Sequence, residues 1–172
     1  MKLFNNFNKV KNLIAISHEN KNVTYNDILN KLSYFKNIIT KNSLLILISS
    51  NKIIPIIFYI FAIKNKCQII ILDENHSSEF IKKSIKNFKP NYIFYPKKKK
   101  LLLKKKNLLV DEYFLCQLNK KIDKKINKKN SIILTTSGTT SNPKFVRISQ
   151  QNIVENTYQI QKYLKINKSH KT

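Results

Sequence analysis

The stretch LLILISSNKIIPIIFYIFAIKNKCQIIILD, residues 44–73, sets two short apolar runs, Leu44 to Ile48 and Gln68 to Leu72, on either side of a longer one, Ile53 to Lys64. The outer runs have strand length and no polar alternation. Ser49-Ser50-Asn51-Lys52, followed by Pro55, breaks the first of them from a segment of helical length that is apolar nearly all round. A strand wet on one face would alternate polar with apolar residues. Continuous apolar strands joined by a helix instead predict a parallel sheet covered on both faces. The uninterrupted apolar run from Ile53 to Ile63 is about half of what a bilayer span requires, so no membrane span is expected.

The same alternation extends outward. Leu13 to Ser17 and Val23-Thr24 have strand character, and Thr24 with Asp27 has the spacing of a capping arrangement. Ile28, Leu29, Leu32, Phe35 and Ile39 then recur at helical spacing, with lysines facing water. Beyond residue 73, Phe80 to Phe88 reads as a helix, Asn91 to Tyr95 as a strand after Pro90, and Leu108 to Val110 as another strand. Ser131 to Leu134 and Phe145 to Ile148 are strands, and Ser149 caps a helix with Ile153, Thr157, Ile160 and Leu164 on one face. The expected fold class is α/β, with mostly parallel strands alternating with helices in one unit over residues 1–172.

The chain carries 33 Lys+Arg against 9 Asp+Glu, a formal net charge of +24. Such a balance raises nucleic acid or an anionic surface as a partner. Yet Arg147 is the single arginine, and the planar guanidinium is the group that bidentate phosphate and guanine recognition prefers. The abundance of Lys, Asn and Ile is what an AT-rich coding sequence produces, so no specific nucleic-acid binding is expected. Two lysine-rich segments, 97–106 and 119–130, read as solvated loops; a basic binding module using them is the alternative. Cys67 and Cys116 are too far apart for a metal or redox pair and suit a reduced, cytoplasmic chain. His18, His76 and His170 cluster with nothing, and no metal site is expected. The N-terminus is broken by asparagines and lysines and lacks the apolar core of a secretory signal.

The chain's one glycine, Gly138, lies in Leu134-Thr135-Thr136-Ser137-Gly138-Thr139-Thr140-Ser141-Asn142-Pro143-Lys144. Hydroxyl side chains surround a residue that permits close backbone approach, and a cation follows, which is the chemistry of a polyphosphate cradle. A Walker A loop is excluded, because a second glycine is missing and Lys144 precedes Phe145; a dinucleotide-binding turn would need three glycines.

In register, Thr136 to Lys144 resembles the Thr-Ser-Gly-Thr-Thr-Gly-x-Pro-Lys signature of the adenylate-forming enzymes, the superfamily of acyl-CoA synthetases, peptide-synthetase adenylation domains and luciferases. Thr24-Tyr25-Asn26-Asp27-Ile28 resembles that family's early Thr-Tyr-x-Glu-Leu helix start, and Ile70-Ile71-Leu72-Asp73 its Val-Pro-Leu-Asp strand end. The chain departs from the pattern at Ser141, Phe145 and Lys66, where glycine is usual, and Asn42 and Asn65 are expected to supply left-handed backbone in its place.

The resemblance implies an N-terminal segment of an ATP-dependent, AMP-forming ligase that activates a carboxylic or amino acid as an acyl-adenylate and passes it to coenzyme A or a phosphopantetheine carrier. Thr136, Ser137, Gly138, Thr139, Thr140 and Lys144 would then hold the phosphates of ATP, with Mg as the accompanying ion. In the family, the adenine pocket, the Mg-binding glutamate, the ribose-binding aspartate and the C-terminal catalytic lysine fall after the point matching Thr172. Alone, this chain is therefore expected to be inactive, with no catalytic residue of its own, and poorly soluble because sheet edge and helix faces are uncovered. A degenerate remnant without activity is a third reading.

Overall fold

The computed structural model describes residues 6–101, 103, 107–120, 130–136 and 144–167. A short 3-10 helix, Phe7–Val10, leads into the hairpin β1 (Ile14–His18) and β2 (Lys21–Thr24). Then come α1 (Tyr25–Ile38), β3 (Leu44–Ser49), α2 (Ile53–Lys64), β4 (Gln68–Asp73), α3 (Ser78–Phe88) and β5 (Tyr92–Pro96). A hairpin of β6 (Asn107–Val110) and β7 (Tyr113–Gln117) follows, and β8 (Asn130–Thr136), β9 (Lys144–Ser149) and α4 (Gln150–Tyr163) complete the order.

The main sheet has seven strands in the order β6-β7-β5-β3-β4-β8-β9. Its centre is parallel: β3 pairs with β4 and with β5, and β4 with β8. Its flanks are antiparallel, β5 with β7, β7 with β6, and β8 with β9. The division follows from the connections. Crossovers through α2 and α3 keep β3, β4 and β5 parallel, whereas the two-residue link from β6 to β7 returns the chain antiparallel.

The unbroken apolar strands are buried on both faces, as the central position requires. On one face Phe35 of α1 and Phe58 and Phe61 of α2 meet Phe94 of β5, with Phe58 stacked on Phe94 at 4.4 Å and Phe35 edge-on to both at 5.1 and 5.6 Å. On the other face α3 lays Ile81 against Ile46, Ile70, Ile93 and Ile133. Leu101 and Leu103, inside the first lysine-rich segment, join this second cluster and anchor the segment to the core at these two positions.

Helix starts and stops are local chemistry. Thr24 accepts from the Asp27 N–H and the Asp27 carboxylate accepts from the Thr24 N–H, a reciprocal capping box. Ser77 and Ser149 cap α3 and α4. With glycine missing, other residues take the left-handed backbone: Asn42 has φ 61°, and at the end of α2 it is Lys66, φ 58°, and not Asn65, φ −95°. The expectation for Asn65 is thereby corrected. The Lys66 N–H bonds Ile63 O and the Cys67 N–H bonds Ala62 O, which requires the residue after the cap to be left-handed.

Along α4 the expected apolar face is only half used. Ile153 packs against the α1–α2 side of the core, but Ile160 and Leu164 are 46% and 56% exposed.

Candidate functional site

The four central strands all point their carboxyl ends to one edge of the sheet, where ligands of open α/β sheets sit. From β3 the chain crosses to β4 on one side, and from β4 it returns to β5 on the other. The crevice between the ends of β3 and β4 is therefore a switch point in the winding.

Thr136 is the last residue of β8 and Lys144 the first of β9. They stand directly opposite in the antiparallel register, and the Thr136 hydroxyl donates to Lys144 O at 3.3 Å. The ends of the hydroxyl-rich loop are thus pinned together between two strands, as expected from the sequence. Ser137, Gly138, Thr139 and Thr140 lie outside the described residues. Both Thr136 and Lys144 are exposed, and among the described residues no carboxylate pairs with Lys144, so its charge is open to an anion.

Beside this base, the parallel register of β4 on β8 carries Asp73 and the turn after it to the same edge. Asp73 accepts the Asn75 N–H at 2.7 Å, and His76 Nδ1 lies 3.1 Å from Asp73 O. Lys99 fixes this turn from outside: its ammonium donates to Glu74 O and His76 O, both at 2.7 Å. Lys98 pairs with the Glu74 carboxylate at 2.7 Å. Two lysines of the first basic segment are therefore engaged within the fold.

Next to the turn lies a cavity of about 640 Å³, lined in part by Ser50, Lys52, Glu74, Lys98, Glu112 and Tyr113. The Ser50 and Tyr113 hydroxyls are 2.6 Å apart. Burial pushes the Tyr113 phenol up, opposed by the hydrogen bond from Ser50. At the rim Lys52 bonds Glu19 at 2.9 Å, which holds the Glu19 carboxyl below and the Lys52 ammonium above their ordinary values. Sequence reasoning did not single out Glu74, Glu112 or Tyr113. The one available signal was scarcity: in a chain with only 9 acidic residues, a carboxylate beside a strand end is worth noting.

Cys67 and Cys116 are buried and unpaired with each other. Burial pushes the Cys67 thiol up to about 11. Among the described residues no group of His, Cys, Asp and Glu could hold a metal, and no helix is long and apolar enough to cross a membrane. The His76 ring stacks on Phe80 at 4.7 Å.

No protein-family model matches the chain, and no curated protein matches it in sequence. Solved structures do match it in fold. The o-succinylbenzoate coenzyme A synthetase of Bacillus subtilis, in complex with AMP, superposes with TM-score 0.65 at 13% identity, over 95% of this chain and 46% of that one. MatB from Rhodopseudomonas palustris gives 0.68 at 13%, over 95% and 38%. The Vibrio cholerae adenylation domain AlmE, in complex with glycyl-adenosine-5'-phosphate, gives 0.69 at 16%, over 95% and 37%. The chain spans less than half the length of each of these proteins. At such identities the likeness is one of fold, and the fold is that of the N-terminal portion of the adenylate-forming enzymes.

Proposed function

We propose that this chain is the N-terminal, phosphate-loop-bearing part of an ATP-dependent ligase that activates a carboxylic or amino acid as its adenylate and transfers it to a thiol. One observation carries the reading. Thr136 and Lys144 face each other, exposed, at the carboxyl edge of a sheet whose fold is shared with proteins solved in complex with AMP or an acyl-adenylate, and the hydroxyl-rich loop joins them.

The donor set suits a polyphosphate. The Thr136 hydroxyl can turn its one proton from Lys144 O to a phosphate oxygen, and the Lys144 ammonium is an exposed cation with no competing carboxylate among the described residues. By the sequence pattern, Ser137, Thr139 and Thr140 would add hydroxyls and Gly138 the close backbone approach. When bound, ATP with its Mg ion would supply an α-phosphorus open to carboxylate attack and a pyrophosphate leaving group. The role assigned to Lys144 is to hold that phosphate charge. The thiol acceptor would be coenzyme A or a carrier pantetheine.

Calorimetric titration with ATP tests the reading. Lys144→Ala removes a charge-assisted hydrogen bond of about 1.5–3 kcal/mol and should weaken ATP binding on the order of 10- to 100-fold. In a protein that also contains the remainder of the fold, carboxylate-dependent exchange of pyrophosphate into ATP should fall in step. Unchanged exchange in Lys144→Ala would refute the role.

The basic-module alternative is supported less well, since the Lys99 ammonium is spent on the Glu74 and His76 carbonyls and the exposed Lys98 is paired with the Glu74 carboxylate. It predicts salt-dependent affinity for DNA or RNA with a slope of several phosphates.

A further inference from the structure

Phe145 stands where the signature usually has glycine, and its ring is neither loose nor solvent-facing. It lies 4.7 Å from Phe88, edge to face, and 6.1 Å from Phe80 with the rings nearly parallel at 7°. Phe80 in turn stacks on His76. An aromatic row thus runs from the turn after β4, along α3, to the residue after Lys144.

β9 lies at the edge of the sheet and pairs with β8. Lys144, Val146 and Arg147 on it are exposed, so burial specifies its alignment weakly. What fixes its two faces is a pair of side chains: Phe145 packs against the α3 side of the core, and Ile148 against the α1–α2 side. Residues 144, 146 and 148 share one face and 145 and 147 the other, because strand side chains alternate. A slip of one residue would turn the Phe145 ring outward and drive the Lys144 ammonium toward Phe80 and Phe88, where desolvation of the charge opposes it.

We propose that Phe145 is a positioning residue that pins the register of β9 and so sets the face on which Lys144 stands, opposite Thr136. The consequence for ATP rests on the phosphate-loop reading; the register itself does not.

The test uses the full 172-residue chain. Thr136→Cys with Lys144→Cys places two thiols across the observed register, and Thr135→Cys with Lys144→Cys reports a slip of one residue. The buried native cysteines do not compete. Phe145→Ala should lower the disulfide yield of the first pair at least about fivefold relative to the parent and raise that of the second, whereas Phe145→Leu should keep the parent pattern. Phe80→Ala, which leaves β9 untouched, should act like Phe145→Ala and decides the matter if that variant fails to fold. Ile28→Val, a core change elsewhere, should lower the melting temperature and leave the yields alone. Parent-like yields in both Phe80→Ala and Phe145→Ala would overturn the proposal.

Calorimetry with ATP, on versions without added cysteines, forms the second arm. Affinity should fall about tenfold or more in Phe145→Ala, as it does when the Lys144 ammonium no longer reaches the phosphates, and survive in Phe145→Leu. A parent that binds no ATP would sink the phosphate reading while the disulfide yields still decide the register.

Discussion

Lys66 ends α2 in a backbone conformation that glycine ordinarily supplies, and it has company. Lys165 repeats the arrangement after α4, where its own N–H bonds Lys162 O and the Ile166 N–H bonds Gln161 O. Lys89, φ 47°, closes α3 ahead of Pro90. For a side chain with a Cβ this geometry costs roughly 1 kcal/mol, so Lys66→Gly should raise stability by about that much in a denaturant melt. The lysines offset part of the cost by placing positive charge at the negative end of the helix dipole. The sequence located the missing glycine at position 66 but assigned the left-handed turn to Asn65, because asparagine tolerates it better. The hydrogen bonds of the helix end choose the residue by its place in the turn, and no propensity reports that.

Asp27 permits a prediction in pH. Its hydrogen bonds with Thr24 hold its carboxyl below the usual range. A depressed carboxylate contributes stability that is present above its unfolded value, about 3.9, and is lost as pH falls through the folded one. Asp27→Asn should therefore flatten the loss of stability on going from pH 7 to pH 3, measured by urea midpoints. Thr24→Ala, which removes the cap itself, should cost about 1 kcal/mol at neutral pH. This capping box was fully legible, since both partners lie within four residues.

At the scale of elements, the aromatic contacts of Phe35, Phe58, Phe61 and Phe94 bind α1 and α2 to the centre of the sheet. Phe35 is fully buried, and Phe35→Ala should cost about 3–5 kcal/mol, a large part of a domain's usual 5–15, so loss of the cooperative thermal transition near room temperature is the expected readout. Helix α2 and its flanking strands were readable because long apolar runs leave few alternatives. Strand β7 was not read at all. Only Asp111 and Glu112 separate it from β6, and the turn uses Asp111 at φ 52° where an Asn-Gly pair would have announced a hairpin. The antiparallel flanks were missed for the same reason: local periodicity identifies a strand but not the direction of its neighbour. As for the site, the pairing of Thr136 with Lys144 could be anticipated from a loop flanked by two strands. The turn at Glu74 and His76, brought there by sheet order, could not.

Over the whole molecule, charge and apolar exposure oppose one another. The sheet ends on β6 and β9, where Leu109 and Val146 are 49% and 44% exposed, and Tyr163 on α4 is 86% exposed. Self-repulsion from a net charge of +24 keeps copies apart when the field is long-ranged. Salt shortens its reach from about 30 Å at 0.01 M to about 10 Å at 0.1 M. The isolated chain should accordingly stay dispersed at low salt and associate as salt rises, measured by light scattering. Ile160→Lys with Tyr163→Lys should move that onset to higher salt, and a monomer indifferent to salt would contradict the expectation.

The Lys99 ammonium, enclosed by two carbonyls of the turn after β4 while Lys97, Lys98 and Lys100 around it are exposed, carries a consequence for chemical footprinting. Acylating reagents must reach the nitrogen, and one already engaged by two carbonyls of a turn is shielded from them. Mass spectrometry of the labelled chain should therefore find Lys99 modified late, after its neighbours, and the moment of its labelling would mark when the turn beside Thr136 and Lys144 opens.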